Sequence, residues 1–480
     1  MPGVAWLSAL AFRVAGNLAC RRPFRPPFRL WPFAPIYRCS GRGADTRVCS
    51  AETRLGAAVG HASACPVERG STWGKVLLPT GVSGPLDGGL KGRLQARLPA
   101  TLKAIFAFVP AALLAQVYLS TLPLDPSAPL DNPVERLRQQ LAAGKMTPND
   151  LPSLLAQLDI HTDTQALVFS KTSFQRTKIG PRNPRAIYFN DEVAVGWVPG
   201  GDGMEVAASD PRQGTVFYTF SESPPKLTRR EECVHCHHGA STMGVPGMFV
   251  GSVFPDSSGA PARMGAIVTD HRTPFADRWG GWYVTAIHGE QRDRANATAP
   301  DPAEPLVLAT EGRQNLRSLA REFDTTKYLA QTSDIVALMT FEHQTQMANL
   351  ITRLGWDARM NLPIDADLAA TADYMLFEDE APLREPIQGV STFTDTFPQR
   401  GPRDRKGRSL RDFDLHTRLF RYPLSYMIYS RAFDALPENV KDPLYRRLYA
   451  SLTAAGRRDI VEILRDTKPS LPSYWRNAVE

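Results

Sequence analysis

Residues 231–239 read Glu-Glu-Cys-Val-His-Cys-His-His-Gly, and no other stretch narrows what this chain can become as sharply. In Cys233-x-x-Cys236-His237 two thiols stand three residues apart and an imidazole follows directly. Each thiol can add to one vinyl group of a single haem, and the histidine is then offered to the iron from the same side. Six Cys and nine His in 480 residues give about 0.001 such strings by chance. The string is not an accident of composition.

Two other chemistries use a C-x-x-C pair. A structural zinc takes four ligands, usually from two separated pairs, and no cysteine other than Cys233 and Cys236 follows Cys65. Zinc would have to borrow distant histidines, because His235, His237 and His238 crowd one turn. A thioredoxin-like redox pair belongs in a βαβ setting, and none surrounds this one.

Charge and cysteine are both unevenly spread. The formal +7 comes from residues 1–103, which carry 15 Lys/Arg against 4 Asp/Glu, while the remainder is mildly acidic. The basic pI is therefore no argument for nucleic-acid binding. Cys20, Cys39, Cys49 and Cys65 all fall in the same leader. A body whose only thiols are the two consumed by haem suits an oxidising compartment outside the cytoplasm.

Residues 1–89 show no sustained period of 2 or 3.6, and read as a disordered leader or as an extension upstream of the true start. Residues 90–122 read as a signal peptide or membrane anchor. Lys91, Arg93, Arg97 and Lys103 form a positive n-region before the apolar run 104–115, which can be stretched to Leu122. The expected location is periplasmic or extracytoplasmic, with anchoring through 104–122 as an option. Residues 123–160 are expected to be a linker and two short helices, at 134–143 and 150–158.

From about 165 the period changes to 2. Strands are expected at 166–169, 186–189, 193–198, 204–208 and 215–220, with a further short one at 248–254. After residue 315 helical periodicity takes over, with helices expected at 333–354, 368–375, 413–430 and 443–465. The fold class is therefore α+β: a β-rich haem-bearing region at 161–300, then a mainly helical region at 301–480 that packs over the haem.

His237 is the expected proximal ligand. The sixth iron ligand decides between electron carriage and small-ligand chemistry. His288, beside a glycine that permits close approach, and His343, within a helix, are the candidates carried forward. His343 shares a stripe with Met339 and Met347, a pattern that core packing also produces. His271, Met243, Met248 and Met264 are weaker alternatives. His235 and His238 sit too close to the attachment point to reach the opposite haem face. Arg263, Arg278 and Trp279 are candidate partners for the haem propionates. Asn296-Ala297-Thr298 matches a glycosylation acceptor triplet. No phosphate loop and no nucleophile elbow occurs.

Several of these strings together, Pro184-Arg-Ala-Ile-Tyr-Phe-Asn-Asp191, the C-x-x-C-H, Gly244-Val-Pro-Gly247, Arg278-Trp-Gly-Gly-Trp-Tyr-Val-Thr285, Thr340-Phe-Glu-His-Gln344 and Arg421-Tyr-Pro-Leu-Ser-Tyr426, resemble a family of exported bacterial proteins with a monohaem cytochrome c domain. The resemblance covers roughly residues 150–465. It implies one covalent haem c and electron transfer with redox partner proteins, and it names no substrate. One departure stands out: where relatives often carry His-Met-Gly-Asn after the aromatic segment, this chain has Gln291-Arg-Asp-Arg-Ala-Asn296. A haem enzyme acting on peroxide or on a small nitrogen or sulfur species, or a haem-based sensor, is the alternative function.

Overall fold

The computed structural model describes residues 129–145, 148–263, 265–301 and 307–476. The leader, the segment 104–122 and Met264 lie outside the described residues. Among the described residues no helix is long and apolar enough to cross a membrane.

The chain opens with two short helices, α1 (Pro133–Ala142) and α2 (Leu151–Gln157). Both carry side-chain caps that the sequence announces. Asn132 accepts from the Glu135 amide, and Asp150 and Ser153 form a reciprocal capping box. Six strands follow: β1 (Ala166–Val168), β2 (Arg185–Phe189), β3 (Val193–Trp197), β4 (Met204–Asp210), β5 (Gly214–Glu222) and β6 (Pro225–Arg229). With the later β9 (Trp282–Tyr283) they make one antiparallel sheet in the order β6-β5-β4-β3-β2-β1-β9. Between them β7 (Val250–Ser252) and β8 (Ile267–Thr269) pair separately.

An antiparallel sheet commonly leaves one face wet. This one is covered on both. Along β5, Val216, Tyr218 and Phe220 join α1, α2, Leu319, Phe323 and Tyr328 in one core. Along β2, Ile187 and Phe189 alternate to the other side and join the larger core. At the centre of that core lies α3 (Ile335–Arg359), 25 residues long. It is buried nearly all round, polar Glu342, His343, Gln344 and Asn349 included, as a helix enclosed rather than laid on a surface must be. Asp334 caps it by accepting from the Val336 amide at 2.8 Å, and the same carboxylate takes the Val390 and Ser391 amides at 2.7 Å. Helices α4 (Asp365–Met375), α5 (Glu438–Ala454) and α6 (Arg458–Thr467) close the outside.

The α+β class holds, with the sheet in the middle of the chain and the helices after it. The expected division near residue 300 does not separate two cores, since Phe189 and Trp282 share one with Trp475. Strand β6 was not legible in the sequence. Pro225 opens it at the sheet edge, where a missing N–H costs nothing, and Leu227 is its one buried side chain. The helix expected over 413–430 does not form. Phe413 and Phe420 bridge and stack with centroids 5.3 Å apart, and only the turn Tyr426–Tyr429 is helical. Pro423 breaks the pattern. The helix expected over 443–465 is two, separated at Gly456 with φ +68°.

Candidate functional site

Strand β6 ends at Arg229, and the Arg230 amide makes one last ladder bond to the Phe217 carbonyl at 2.8 Å. A 3₁₀ turn, Glu231–Cys233, runs straight into the helical turn Val234–His237. Helical backbone through this stretch puts Cys233, Cys236 and His237 at i, i+3 and i+4, which lie on one face. Cys236 is exposed and Cys233 half-buried, both as free thiols.

The loop that follows holds the imidazole. Thr242 Oγ1 donates to the Val245 carbonyl at 2.7 Å and receives the Gly239 amide at 3.1 Å. Met243 and Gly244 take left-handed backbone (φ +60° and +70°) and turn the chain back. The Gly247 amide then donates to the His237 carbonyl at 2.8 Å, and the Gly247 carbonyl faces His237 Nδ1 at 3.0 Å. That contact assigns the ring proton to Nδ1. Nε2 has no hydrogen-bond partner among the described residues.

Phe217 and Phe249 flank the ring with centroids 4.8 and 6.0 Å away. Burial lowers the His237 pKa, so the ring is neutral at pH 7, the form that can ligate a metal. Burial together with the Glu232 and Glu205 charges pushes the Cys233 thiol up to about 11. Catalytic redox cysteines are shifted in the opposite direction. Among the described residues no group of three or more His, Cys, Asp or Glu is arranged to hold a metal ion.

Helix α3 braces the loop from behind. Asn349 Nδ2 donates to the Met248 carbonyl at 2.8 Å, and Gln346 Nε2 approaches Met243 Sδ at 3.3 Å. The sequence had marked Gly244-Val-Pro-Gly247 as a turn. It gave no sign that the Gly247 carbonyl would orient His237, because that needs the loop's exact path over ten residues, or that Asn349 would hold the loop, because that contact spans 101 residues.

The expected sixth ligands lie elsewhere. His343 is fully buried in α3, with Nδ1 2.9 Å from His271 Nδ1 and Nε2 2.7 Å from Ser425 Oγ. Both its nitrogens are engaged, and its ring is stacked against Phe377 at 4.4 Å. His271 belongs to the same buried pair, between Tyr374 and Phe377. His288 is buried after the strand at the opposite sheet edge, where its Nε2 meets the Asn315 amide at 3.4 Å and Asp293 at 3.6 Å. Its Nδ1 has no partner among the described residues. None of these contacts involves the Cys233–Gly247 segment. Met339 and Met347 are core residues, and Met248 packs against the same core.

Of the propionate candidates, Arg278 is engaged within the core. Arg278 is buried, bonds the Thr273 and His271 carbonyls at 2.8 and 2.9 Å, and pairs with Glu342 at 3.3 Å. Trp279 is fully buried. Arg263 is exposed and lies over the Phe254 ring at 4.5 Å. His238 Nε2 is 3.0 Å from the Gly244 carbonyl, and His235 is exposed. Asn296 is buried with its amide bonded to the Val284 and Arg313 carbonyls, which leaves no acceptor for a glycan.

No family model, no curated protein and no solved structure matches this chain.

Proposed function

We propose that this chain is an exported c-type cytochrome that carries one covalent haem c through Cys233 and Cys236, with His237 as proximal iron ligand, and that it passes single electrons to and from redox partner proteins. The observation that carries the reading is the His237 ring. Its Nδ1 is tied to the Gly247 carbonyl at 3.0 Å and its Nε2 is unpartnered, on the same helical face as two free thiols. A histidine oriented through its second nitrogen is the usual support for a metal-ligating imidazole.

Bound haem supplies a one-electron iron centre whose potential depends on ligands, hydrogen bonds and burial. The chain's own residues then have separate tasks. Cys233 and Cys236 tether, the Gly247 carbonyl fixes ring orientation and raises ligand basicity, and Phe217 and Phe249 keep water from the ring. Exposure of Cys236 favours a haem edge that a partner can approach. Thioether attachment outside the cytoplasmic membrane fits a body with no other thiols. Residues 104–122 would carry the export or anchoring signal.

A second reading is a small-ligand haem enzyme or sensor. It is favoured by the engagement of His343, and by the position of His288, away from this turn. The test of the first reading is production in a host with haem-attachment machinery, followed by intact-mass measurement and absorption spectroscopy. One added tetrapyrrole and a c-type spectrum are expected; colourless protein of unmodified mass overturns it. Carbon monoxide added to the reduced protein separates the two readings, since binding requires a vacant or weakly held sixth position.

A further inference from the structure

A cavity of about 230 Å³ lies beside the larger core, and none of its lining residues belongs to the Cys233–Gly247 segment. Its inner wall is Phe189, Phe397 and Arg411, each at most 4% exposed. Arg400 and the β2–β3 hairpin also line it, as do the exposed Asp159 and His161. Nothing in the haem reading uses this space.

The two guanidinium groups are held in place before any ligand arrives. Arg411 pairs with Asp191 and packs against the edge-to-face pair Phe397 and Tyr426, its guanidinium carbon 4.7 and 4.5 Å from the two ring centroids. Arg400 pairs with Asp163 at 2.6 Å, and its Nη2 also reaches Thr396 at 2.7 Å. Both pairings use Nη2. The Nη1 atoms have no partner among the described residues and are not sealed from solvent. Arg411 is itself almost wholly buried, so the cavity is the space its Nη1 meets. Carboxylate-locked arginines are preorganised donors for a planar carboxylate.

The same lining also carries acidic groups. Glu192 is one, held only by Arg431 at 3.5 Å, and Asp159 is another. The β2–β3 hairpin is rigid, because Asn190 Oδ1 receives the Glu192 and Val193 amides at 3.0 and 2.8 Å. With Asp163 and Asp191 already balancing the arginines, Glu192 and Asp159 leave the surroundings net negative. A simple anion gains little there, and a molecule bearing both charges gains from both sets of groups.

We propose that this cavity binds a small zwitterion, a free amino acid or close analogue, with its carboxylate on the Nη1 atoms of Arg400 and Arg411. Its ammonium group faces Glu192 and Asp159, and an apolar side chain rests on Phe189 and Phe397. The volume is below that of drug-sized pockets, which restricts the ligand to a small molecule. The site stands independently of the haem reading.

The test is calorimetry and thermal shift on the full chain at pH 7 with glycine, L-alanine and L-leucine. Two half-ligands, 4-methylpentanoate and 3-methylbutylamine, serve as controls. At least one amino acid is expected to bind about tenfold or more tightly than either half. Arg400→Gln, at a part-exposed position, should abolish its advantage over the amine. Glu192→Gln should abolish its advantage over the acid. No binding by any amino acid at millimolar concentration, or a half-ligand equal to the whole, overturns the proposal.

Discussion

The Asn349 side chain fills the space that a side chain on Gly247 would need. It reaches from the central helix to the loop that orients His237, and a Cβ built on Gly247 would fall inside the van der Waals shell of its Oδ1 and Cγ. Gly247→Ala should therefore displace either the loop or Asn349, at a cost of about 1–3 kcal/mol. Denaturant unfolding of Gly247→Ala, Asn349→Ala and the double variant checks this. The double variant should recover about 0.5 kcal/mol or more relative to the sum of the singles. Strict additivity would mean that the two residues do not collide.

The buried pair His271 and His343 makes stability depend on pH. Burial holds both rings well below the ordinary histidine range, so they stay neutral in the folded protein and protonate on unfolding. For a lowered histidine, the stabilisation is complete above the unfolded pKa near 6.5 and is lost as pH falls below it. Each ring can contribute up to about 1.4 kcal/mol per pH unit in that window. Glu342, raised by burial to about 7, titrates with the opposite sign and partly masks the trend. The difference between wild type and a His271→Phe/His343→Phe variant removes that mask. The difference is expected to shrink between pH 6.5 and 5, and a constant difference would remove the pair from this role.

The attachment turn was legible because its chemistry is local: three residues within one helical turn. Strands β1 to β5 and helices α1, α2 and α3 were legible for the same reason, since their period is written along the chain. The sequence left His343 open between ligand and core because a helix enclosed on all sides has no polar face to mark direction. Its periodicity says only that the residue is inside. Segment 413–430 was misread because its aromatic spacing mimics a helix, whereas Phe413, Phe397 and Phe420 stack across a loop. The cavity arginines were invisible for a different reason. Arg400 and Arg411 owe their fixed positions to Asp163 and Asp191, more than 200 residues away in the chain.

Asp367 carries a second pH-dependent cost. It is buried beside the Asp357 carboxylate, its Oδ1 lacks a partner among the described residues, and its pKa is pushed up to about 7 by burial and that neighbour. For an acid raised in the fold, the sign is the reverse of the histidines. Its contribution is fully present below about pH 4 and is lost as pH rises through 7. Asp367→Asn mimics the protonated form and should raise Tm at pH 8 and raise it by clearly less at pH 5. Thermal scans at the two pH values decide it, and equal shifts at both would show that charge is not the cause.

His237→Ala separates attachment from ligation. The thioether links depend on Cys233 and Cys236, whereas the iron's proximal nitrogen is His237 Nε2 on the proposed reading. The variant should retain the added mass of one tetrapyrrole and lose the native low-spin absorption spectrum. Asn349→Ala is expected to act more mildly through the Gly247 carbonyl. With the loop less firmly held, the Nδ1 contact lengthens and ligand basicity falls, which should shift the reduction potential upward without changing haem content. In haem-free protein, nitrogen NMR of the His237 ring supplies an independent readout, because loss of the carbonyl contact lets the proton redistribute between Nδ1 and Nε2. An Asn349→Ala protein with wild-type potential and an unchanged ring tautomer would place the control of His237 elsewhere.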